Sequence, residues 1–228
     1  MHVLLLGASG RNGSLILQSA LKRGYTVTAL VRNPSVFTES SPNLTLVTGS
    51  PISQPDLEAA LQSPTPPDAV IFALGHRKAG TLPFSATATD CPHDLMESST
   101  KALLNAIKAA NLAKQPKLIV NSSQGVGDSM ASLSAPMRFI LNYSKALRTG
   151  LDDHTKVDAL VRESGLPFVL ARACRLTEGS VATIRAWPDD GRDAPGWSAA
   201  VSRASVAEWL VDAVAGGDFD GKAPVLTN

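Results

Sequence analysis

Charge of one sign is the first thing this sequence lacks. Its 228 residues hold 21 Lys and Arg against 20 Asp and Glu, a formal charge of +1. That balance excludes the broad positive field of a nucleic-acid-binding surface. Cysteine is scarce. Cys91 and Cys174 allow one bridge at most and read as ordinary thiols of a reducing compartment. The four histidines, His2, His76, His93 and His154, show no metal-ligand spacing with each other or with the cysteines. No apolar run reaches the ~20 residues of a membrane span, so no membrane partner is expected. The opening Met1–Gly7 run is too short for a signal peptide and passes at once into a glycine-rich turn. The expected setting is the cytoplasm. Asn121-Ser122-Ser123-Gln124-Gly125 lacks the first glycine of a hydrolase nucleophile elbow.

What remains is a chain that is 44% hydrophobic, enough for a sizeable core. Its patterning alternates between strand and helix. Val3–Leu6 reads as a strand, Gly7–Gly13 as a turn, and Leu15, Ile16, Ser19 and Ala20 as the apolar side of a helix that Gly24 ends. Further strands are expected at Tyr25–Val31, Leu44–Val47, Ala69–Leu74, Lys117–Asn121 and Pro167–Ala173, apolar on both faces as in a covered parallel sheet. Helices are expected at Leu57–Leu61, Ser98–Ala110 and His154–Ser164, the last opened by His154 with Asp153 as its cap. Ser205 and Glu208 suggest a capping box for a helix over Ser205–Ala215. Val181–Trp187 and Pro224–Leu226 are strand candidates. The pattern predicts an α/β fold spanning 1–228 as one domain, with a doubly wound, mostly parallel sheet. Elaborations fall around 76–95, 124–150 and 176–202. Met137, Phe139, Ile140 and Leu141 suggest a short helical lid within the second.

The strongest motif is Gly7-Ala8-Ser9-Gly10-Arg11-Asn12-Gly13, set between the first strand and helix. Here Gly7 permits a sharp exit from the strand, Gly10 lets a pyrophosphate approach the backbone, and Gly13 allows close packing of the helix. The helix N-terminus offers free N–H groups and partial positive charge to phosphates. In this strand–turn–helix setting the spacing points to a dinucleotide. The second strand ends in Val31-Arg32-Asn33, where an acidic residue would read an NAD ribose. Arg32 suits the 2′-phosphate of NADP, with Arg11 as a second cation, so NADPH is the expected cofactor. Ala73, Leu74 and Gly75 close the fourth strand, where a nicotinamide ribose would pass. Ser122 and Ser123 close the fifth, level with the reactive ring, and either bind it or bond their own backbone. His154 is a candidate proton donor or a surface residue. Arg175, past the sixth strand, either holds a substrate carboxylate or is solvated. Phe84, Met130, Met137, Phe139, Trp187 and Trp197 are candidate pocket walls, or plain packing.

These residues carry a resemblance. The Gly7–Gly13 turn with Gly24-Tyr25 and Val31-Arg32, the Ser122-Ser123 strand end, Asp152-Asp153-His154, and Arg162-Glu163-Ser164-Gly165-Leu166 resemble the short, atypical members of the short-chain dehydrogenase superfamily. The match is to the NAD(P)-binding, NmrA-like group and its flavin reductase branch, and it covers nearly the whole chain. The resemblance implies a Rossmann fold, NADPH, and hydride transfer to a flavin or linear tetrapyrrole. It also implies a serine at Ser123 and a histidine at His154 beside the nicotinamide, and a cofactor-binding arginine at Arg32. The chain departs from the pattern in three places. The Tyr-x-x-x-Lys pair of the larger members is absent, since Leu147 stands four after Tyr143. Gly49-Ser50-Pro51 lacks the acidic residue that follows the third-strand glycine in the flavin reductases, leaving Ser50 to contact the adenosine. Pro34-Ser35-Val36 lacks a second basic residue.

The expected function is an NADPH-dependent reductase acting on a small conjugated acceptor such as a flavin, tetrapyrrole or quinone, with Ser123 and His154 at the reacting end. The alternatives are a non-redox NAD(P)-binding sensor and an isomerase or cyclase on the same fold. The oligomeric state stays open.

Overall fold

A strand that is apolar at every position needs cover on both faces, and the first strand sets that requirement. The computed structural model describes residues 1–37, 41–77, 79–80, 87–195 and 199–228, with backbone alone at 142, 145 and 146. In chain order the elements are β1 (His2–Leu6), α1 (Arg11–Lys22), β2 (Thr26–Val31), β3 (Leu44–Thr48), α2 (Gln54–Leu61), β4 (Ala69–Phe72), α3 (Leu95–Ala110) and β5 (Lys117–Ser123). There follow α4 (Ala135–Tyr143), α5 (Lys145–Glu163), β6 (Phe168–Ala173), β7 (Arg175–Thr177), β8 (Arg185–Trp187), β9 (Ala200–Ser202), α6 (Arg203–Ala215) and β10 (Val225–Thr227). All five residues of β1 are buried. Val3 and Leu5 pack with Ile16 and Leu17 of α1 and Leu210 and Val214 of α6. Leu4 and Leu6 pack on the other face with Leu57 of α2, Leu103 of α3 and Val157 of α5.

The main sheet runs β3-β2-β1-β4-β5-β6-β10-β8. Every pairing is parallel except β10 with β8. A small parallel pair, β7 with β9, stands apart. This is a doubly wound Rossmann sheet. From β1 the chain proceeds to β2 and β3, and from β4 it proceeds the other way to β5 and β6. The crevice where the order reverses therefore lies beyond the carboxyl ends of β1 and β4, the place where such sheets bind ligands. No helix of the described residues is long and apolar enough to cross a membrane.

Several expected boundaries move. The first helix starts at Arg11, inside the glycine run, because Gly10 already occupies its N-cap position. Strand β4 stops at Phe72, so Ala73 and Leu74 belong to the loop that follows, whereas β5 continues through Ser122 and Ser123. His154 does not open a helix. Ser144 caps α5 by accepting from the Leu147 N–H, and the helix runs through Gly150, placing His154 well inside it. Ser205 is not a cap either. Ser202 takes that role, accepting from the Ser205 N–H, and Glu208 pairs with Arg23 rather than closing a box. The strand expected over Val181–Trp187 shrinks to Arg185–Trp187. The stretch expected as a lid forms α4, a full helix with Phe139 62% exposed and its ring tilted against that of Tyr143, centroids 4.5 Å apart. Of the candidate pocket walls, Trp187 donates its Nε1–H to Thr227 at 2.9 Å and packs under Arg185 at the sheet edge. Phe84 and Trp197 lie outside the described residues.

The largest fully buried side chain is a charged one, Arg172 on β6. Its guanidinium donates to Asp158 of α5 at 2.8 Å, to Asp128 at 2.5 Å and to the Asp189 carbonyl at 2.6 Å. Arg162 joins Asp158 from one helical turn on at 2.7 Å. A buried charge is tolerable only when so compensated, and removing one buried partner costs about 3–5 kcal/mol. Asp158 is buried and Asp128 is largely exposed. Asp158→Ala is therefore expected to lose about 3 kcal/mol in urea denaturation, while Asp128→Ala, whose carboxylate water can replace, should lose about 1 kcal/mol or less. Equal losses would show that burial of the partner is not what matters.

Candidate functional site

Three glycines shape the turn after β1, for different reasons. Gly7 has φ +92°, and a Cβ there would sit 2.6 Å from the Ala73 carbonyl oxygen. Gly13 stands in the first turn of α1, where a Cβ would lie 1.9 Å from the Gly7 carbonyl oxygen, so the helix can seat on the turn only without one. Gly10 has φ −80° and ψ 164°, open to any residue, and its nearest prospective contact is 3.2 Å away. The protein's own packing thus demands glycine strictly at Gly7 and Gly13. At Gly10 the demand is weaker, since a Cβ would press on the Gly7 carbonyl oxygen at 3.2 Å rather than overlap it. The contacts of Gly7 also bring the turn against Ala73 and Leu74, which join Gly7, Ser9, Gly10, Arg11, Asn12 and Gly13 at one edge of the sheet.

The amino end of α1 differs from those of the other α-helices. It has no side-chain cap and no acid in its first turn. Among the described residues no acceptor takes the N–H of Arg11, Asn12 or Gly13. Ser53, Ser134, Ser144 and Ser202 cap α2, α4, α5 and α6. The start of α3 is served across space by Asp153, which accepts from the Met96 and Glu97 N–H groups at 2.9 and 2.8 Å. Unmatched donors and the helix dipole at α1 together favour an anion. Two arginines border the spot. Arg203, at the start of α6, donates to the Asn12 side chain at 2.7 Å and to Glu178 at 2.8 Å, and Arg11 lies 3.6 Å from Glu178. Arg203 escaped the sequence reading because placing the cap at Ser205 left it outside the helix.

At the ends of β2 and β3, Gly49 donates to the Val31 carbonyl, so Arg32 and Ser50 stand on adjacent strand ends. Arg32 is exposed, with no ion-pair partner among the described residues. Ser50 donates its backbone N–H to Asp56 at 2.8 Å. A Cβ at Gly49 would lie 2.7 Å from the Asp56 side chain. An acid thus stands beside Ser50, from the first turn of α2. Ser122 stands level with Arg172 and Ser123 with Ala173, on opposite faces of the sheet. Ser122 is buried. The Ser123 hydroxyl donates to the Gln124 carbonyl at 3.1 Å, the local bond foreseen as its alternative role. Arg175 is exposed on β7, and no contact among the described residues ties it to the other candidates.

A second polar cluster lies past β4. His76, directly after Gly75, places Nε2 3.1 Å from the buried Asp153 carboxylate and 3.0 Å from the His93 carbonyl. Asp153 is thus the cap of α3, not of its own helix. Its hydrogen bond holds His76 above the ordinary imidazole range against the opposing effect of burial. Burial works against the Asp153 carboxylate, but the bonds from His76, Met96 and Glu97 outweigh it and keep the group below the usual range. His154, next in sequence, has Nδ1 sealed from solvent without a partner. Burial pushes its imidazole down to about 4. One histidine is stabilised as the cation and its neighbour as the neutral ring. Sequence spacing gave no sign of the pair, because 77 residues separate His76 from Asp153. Both cysteines are free and buried, and burial pushes the Cys174 thiol up to about 12, which removes thiolate chemistry. Among the described residues no group of three His, Cys, Asp or Glu is placed to hold a metal.

The sequence pattern of the family described as NAD(P)H-binding matches residues 7–216. A reductase of Aspergillus terreus, pytE, is 25% identical over 262 residues, covering 99% of this chain and 97% of that protein. Among solved structures, ChuY, an anaerobilin reductase from Escherichia coli, is similar with a TM-score of 0.74 at 20% identity, covering 100% of this chain and 97% of the other. A short-chain dehydrogenase/reductase from Veillonella parvula in complex with NADP gives a TM-score of 0.73 at 15% identity, covering 100% and 94%. At these identities the two structures speak for the fold. For the turn itself, Gly13→Ala is expected to lower stability by about 3 kcal/mol or more through overpacking against backbone, whereas Gly10→Ala should cost about 1 kcal/mol or less. Comparable losses in thermal melts would refute the distinction between the two glycines.

Proposed function

The chain belongs to the NAD(P)H-binding family, as an NAD(P)H-dependent oxidoreductase on a Rossmann fold, and from that premise we propose that it is an NADPH-dependent reductase of flat, conjugated acceptors such as flavins, linear tetrapyrroles or quinones. The observation that carries this reading is the uncapped amino end of α1 behind a glycine that the fold does not strictly require. Phosphates satisfy those N–H groups without desolvating any protein acid. The residues present therefore fit a dinucleotide. The N–H groups of Arg11, Asn12 and Gly13 would hold the pyrophosphate, with Ser9 and Gly10 lining it. Arg32 would take the 2′-phosphate, and Ser50 with Asp56 the adenosine side. Ala73, Leu74 and Gly75 would flank the nicotinamide ribose. Ser122, Ser123, His154 and Arg175 would surround the reacting end. When bound, the dinucleotide supplies hydride; the protein orients and excludes water around it.

The acceptor class rests on what is missing as well as on likeness. The chain lacks the Tyr-x-x-x-Lys acid of carbonyl-reducing relatives, and Tyr143 is 77% exposed on α4, turned to solvent. Conjugated acceptors spread the incoming charge over a ring system and need no such acid at the hydride step. The structural likeness to an anaerobilin reductase supports a tetrapyrrole in that class. The cytoplasm fits a chain with free thiols and no membrane-spanning helix among its described residues.

Following NADPH absorbance against a panel of FMN, menadione and biliverdin tests the reading: acceptor-dependent oxidation is expected. Tight NADPH binding with no turnover on any acceptor would instead make the protein a sensor. Product formed without dinucleotide would make it an isomerase. Gly10→Val is expected to abolish dinucleotide binding in calorimetry while leaving the fold intact. Arg32→Ala should weaken NADPH at least tenfold, about 1.5–3 kcal/mol for a lost charge-assisted contact, and NADH less than twofold. Equal losses for the two cofactors would remove Arg32 from the phosphate site.

A further inference from the structure

A conjugated acceptor that has received hydride is one negative charge richer, and although the charge is spread over the ring system at the hydride step, it must be neutralised before a reduced tetrapyrrole can leave. Something must then deliver a proton. His154 is the histidine that the sequence and the resemblance put forward, but its surroundings oppose the role. Its Nδ1 is sealed and unpartnered, and the ring belongs to the half of the cluster that stays neutral. A neutral imidazole at neutral pH has no spare proton to give.

His76 has the opposite setting. It follows Gly75 at the end of β4, beside the crevice where the strand order reverses. Its ring is held through Nε2 by the His93 carbonyl at 3.0 Å and the Asp153 carboxylate at 3.1 Å, with the side chain 9% exposed and Nδ1 left without an acceptor among the described residues. The neighbouring element is small where Nδ1 lies: a Cβ at Gly150 of α5 would still stand 3.7 Å away. Asp153 is itself fixed by two backbone N–H groups of α3, so the anchor cannot swing. The titratable groups facing His76 are Asp153 and His154 from α5 and Asp94 from the segment before α3. Glu97 and Lys156 neutralise each other nearby, and Arg77 is spent on Asp90. The anionic carboxylates outnumber the cations that see this ring.

We propose that His76 is the proton donor for the acceptor bound at this sheet edge, with Asp153 as its positioning residue. The inference rests on the reductase reading above. In the proton step, the bond that breaks is Nδ1–H of the His76 imidazolium and the bond that forms is between hydrogen and the charged atom of the acceptor. The electron pair of the broken bond stays on nitrogen, the ring becomes neutral, and solvent returns a proton. The two electrons of the reduction come with the hydride of the dihydronicotinamide.

Histidine-ring NMR titration of the full chain saturated with NADP supplies a test independent of turnover, with signals assigned by His76→Gln and His154→Gln. The His76 signal should titrate above the ordinary range and the His154 signal should stay neutral down to about pH 4. Asp153→Asn should weaken proton binding at His76 at least tenfold. In kinetics with biliverdin, the wild-type rate should fall as pH rises through the His76 titration. His76→Gln should be slower by at least about 10²-fold, with that fall abolished and NADPH affinity by calorimetry unchanged. A wild-type pH profile in His76→Gln, with NADPH binding intact, would overturn the proposal. So would a His154 signal that titrates near neutrality while His76 stays neutral. Absence of NADPH binding in the wild-type chain would overturn the reductase reading and this inference with it.

Discussion

The contact between Gly13 and the Gly7 carbonyl is the constraint from which the site follows. A side chain at either place would drive α1 off the end of β1. With both absent, the helix begins within the turn itself and points its first N–H groups past Gly10. Helix termini normally hide their unmatched donors with a serine, threonine or acid. Four of the other helices do so with a serine, and α3 borrows a carboxylate from α5. Leaving α1 without a cap forgoes about 1 kcal/mol on the usual scale of a cap, and its donors are left to water or to an anion.

Asp153 shows how one side chain can serve two demands. A carboxylate at the start of α3 neutralises that helix end, and the same group polarises His76. The arrangement fixes the ring through the helix rather than through a second flexible side chain. It also keeps the carboxylate ionised, since three donors converge on it. His154 gains less from it: Asp153 acts on that ring only through space, burial outweighs the effect, and Nδ1 has no partner. The contrast between adjacent residues comes from helix geometry: successive positions point about 100° apart.

What was legible in the sequence was local. The glycine turn, the strand alternation and the crossover order all depend on residues within a few positions of one another, and the sheet order follows from them. Boundaries failed where a cap competed with a stronger one nearby, as at Ser202 against Ser205, or where a glycine was tolerated inside a helix, as at Gly150. Arg203 and His76 were passed over because their partners, Asn12 and Asp153, become neighbours only in the folded chain, across 77 to 191 residues. Asp56 was legible as an acid near the positive end of its helix, three after the cap Ser53, but its bond to Ser50 was not.

Arg172 ties the packing to the site. A buried guanidinium compensated by carboxylates adds little net stability over a well-packed apolar residue. What it adds here is register. Asp158, its buried partner, lies five positions after Asp153 on α5, about 7.5 Å along the axis. Gly127 must lack a side chain to admit the guanidinium, since a Cβ would fall 2.9 Å from Nη2. Three elements, β6, α5 and the turn after β5, thus converge on one charge, and displacement of α5 by even one helical residue would take away its buried partner and leave the exposed Asp128 and the Asp189 carbonyl. An apolar contact would permit sliding by an ångström at small cost. The ion cluster does not, and so it fixes where Asp153 meets the amino end of α3 and, through Asp153, where His76 stands at the sheet edge.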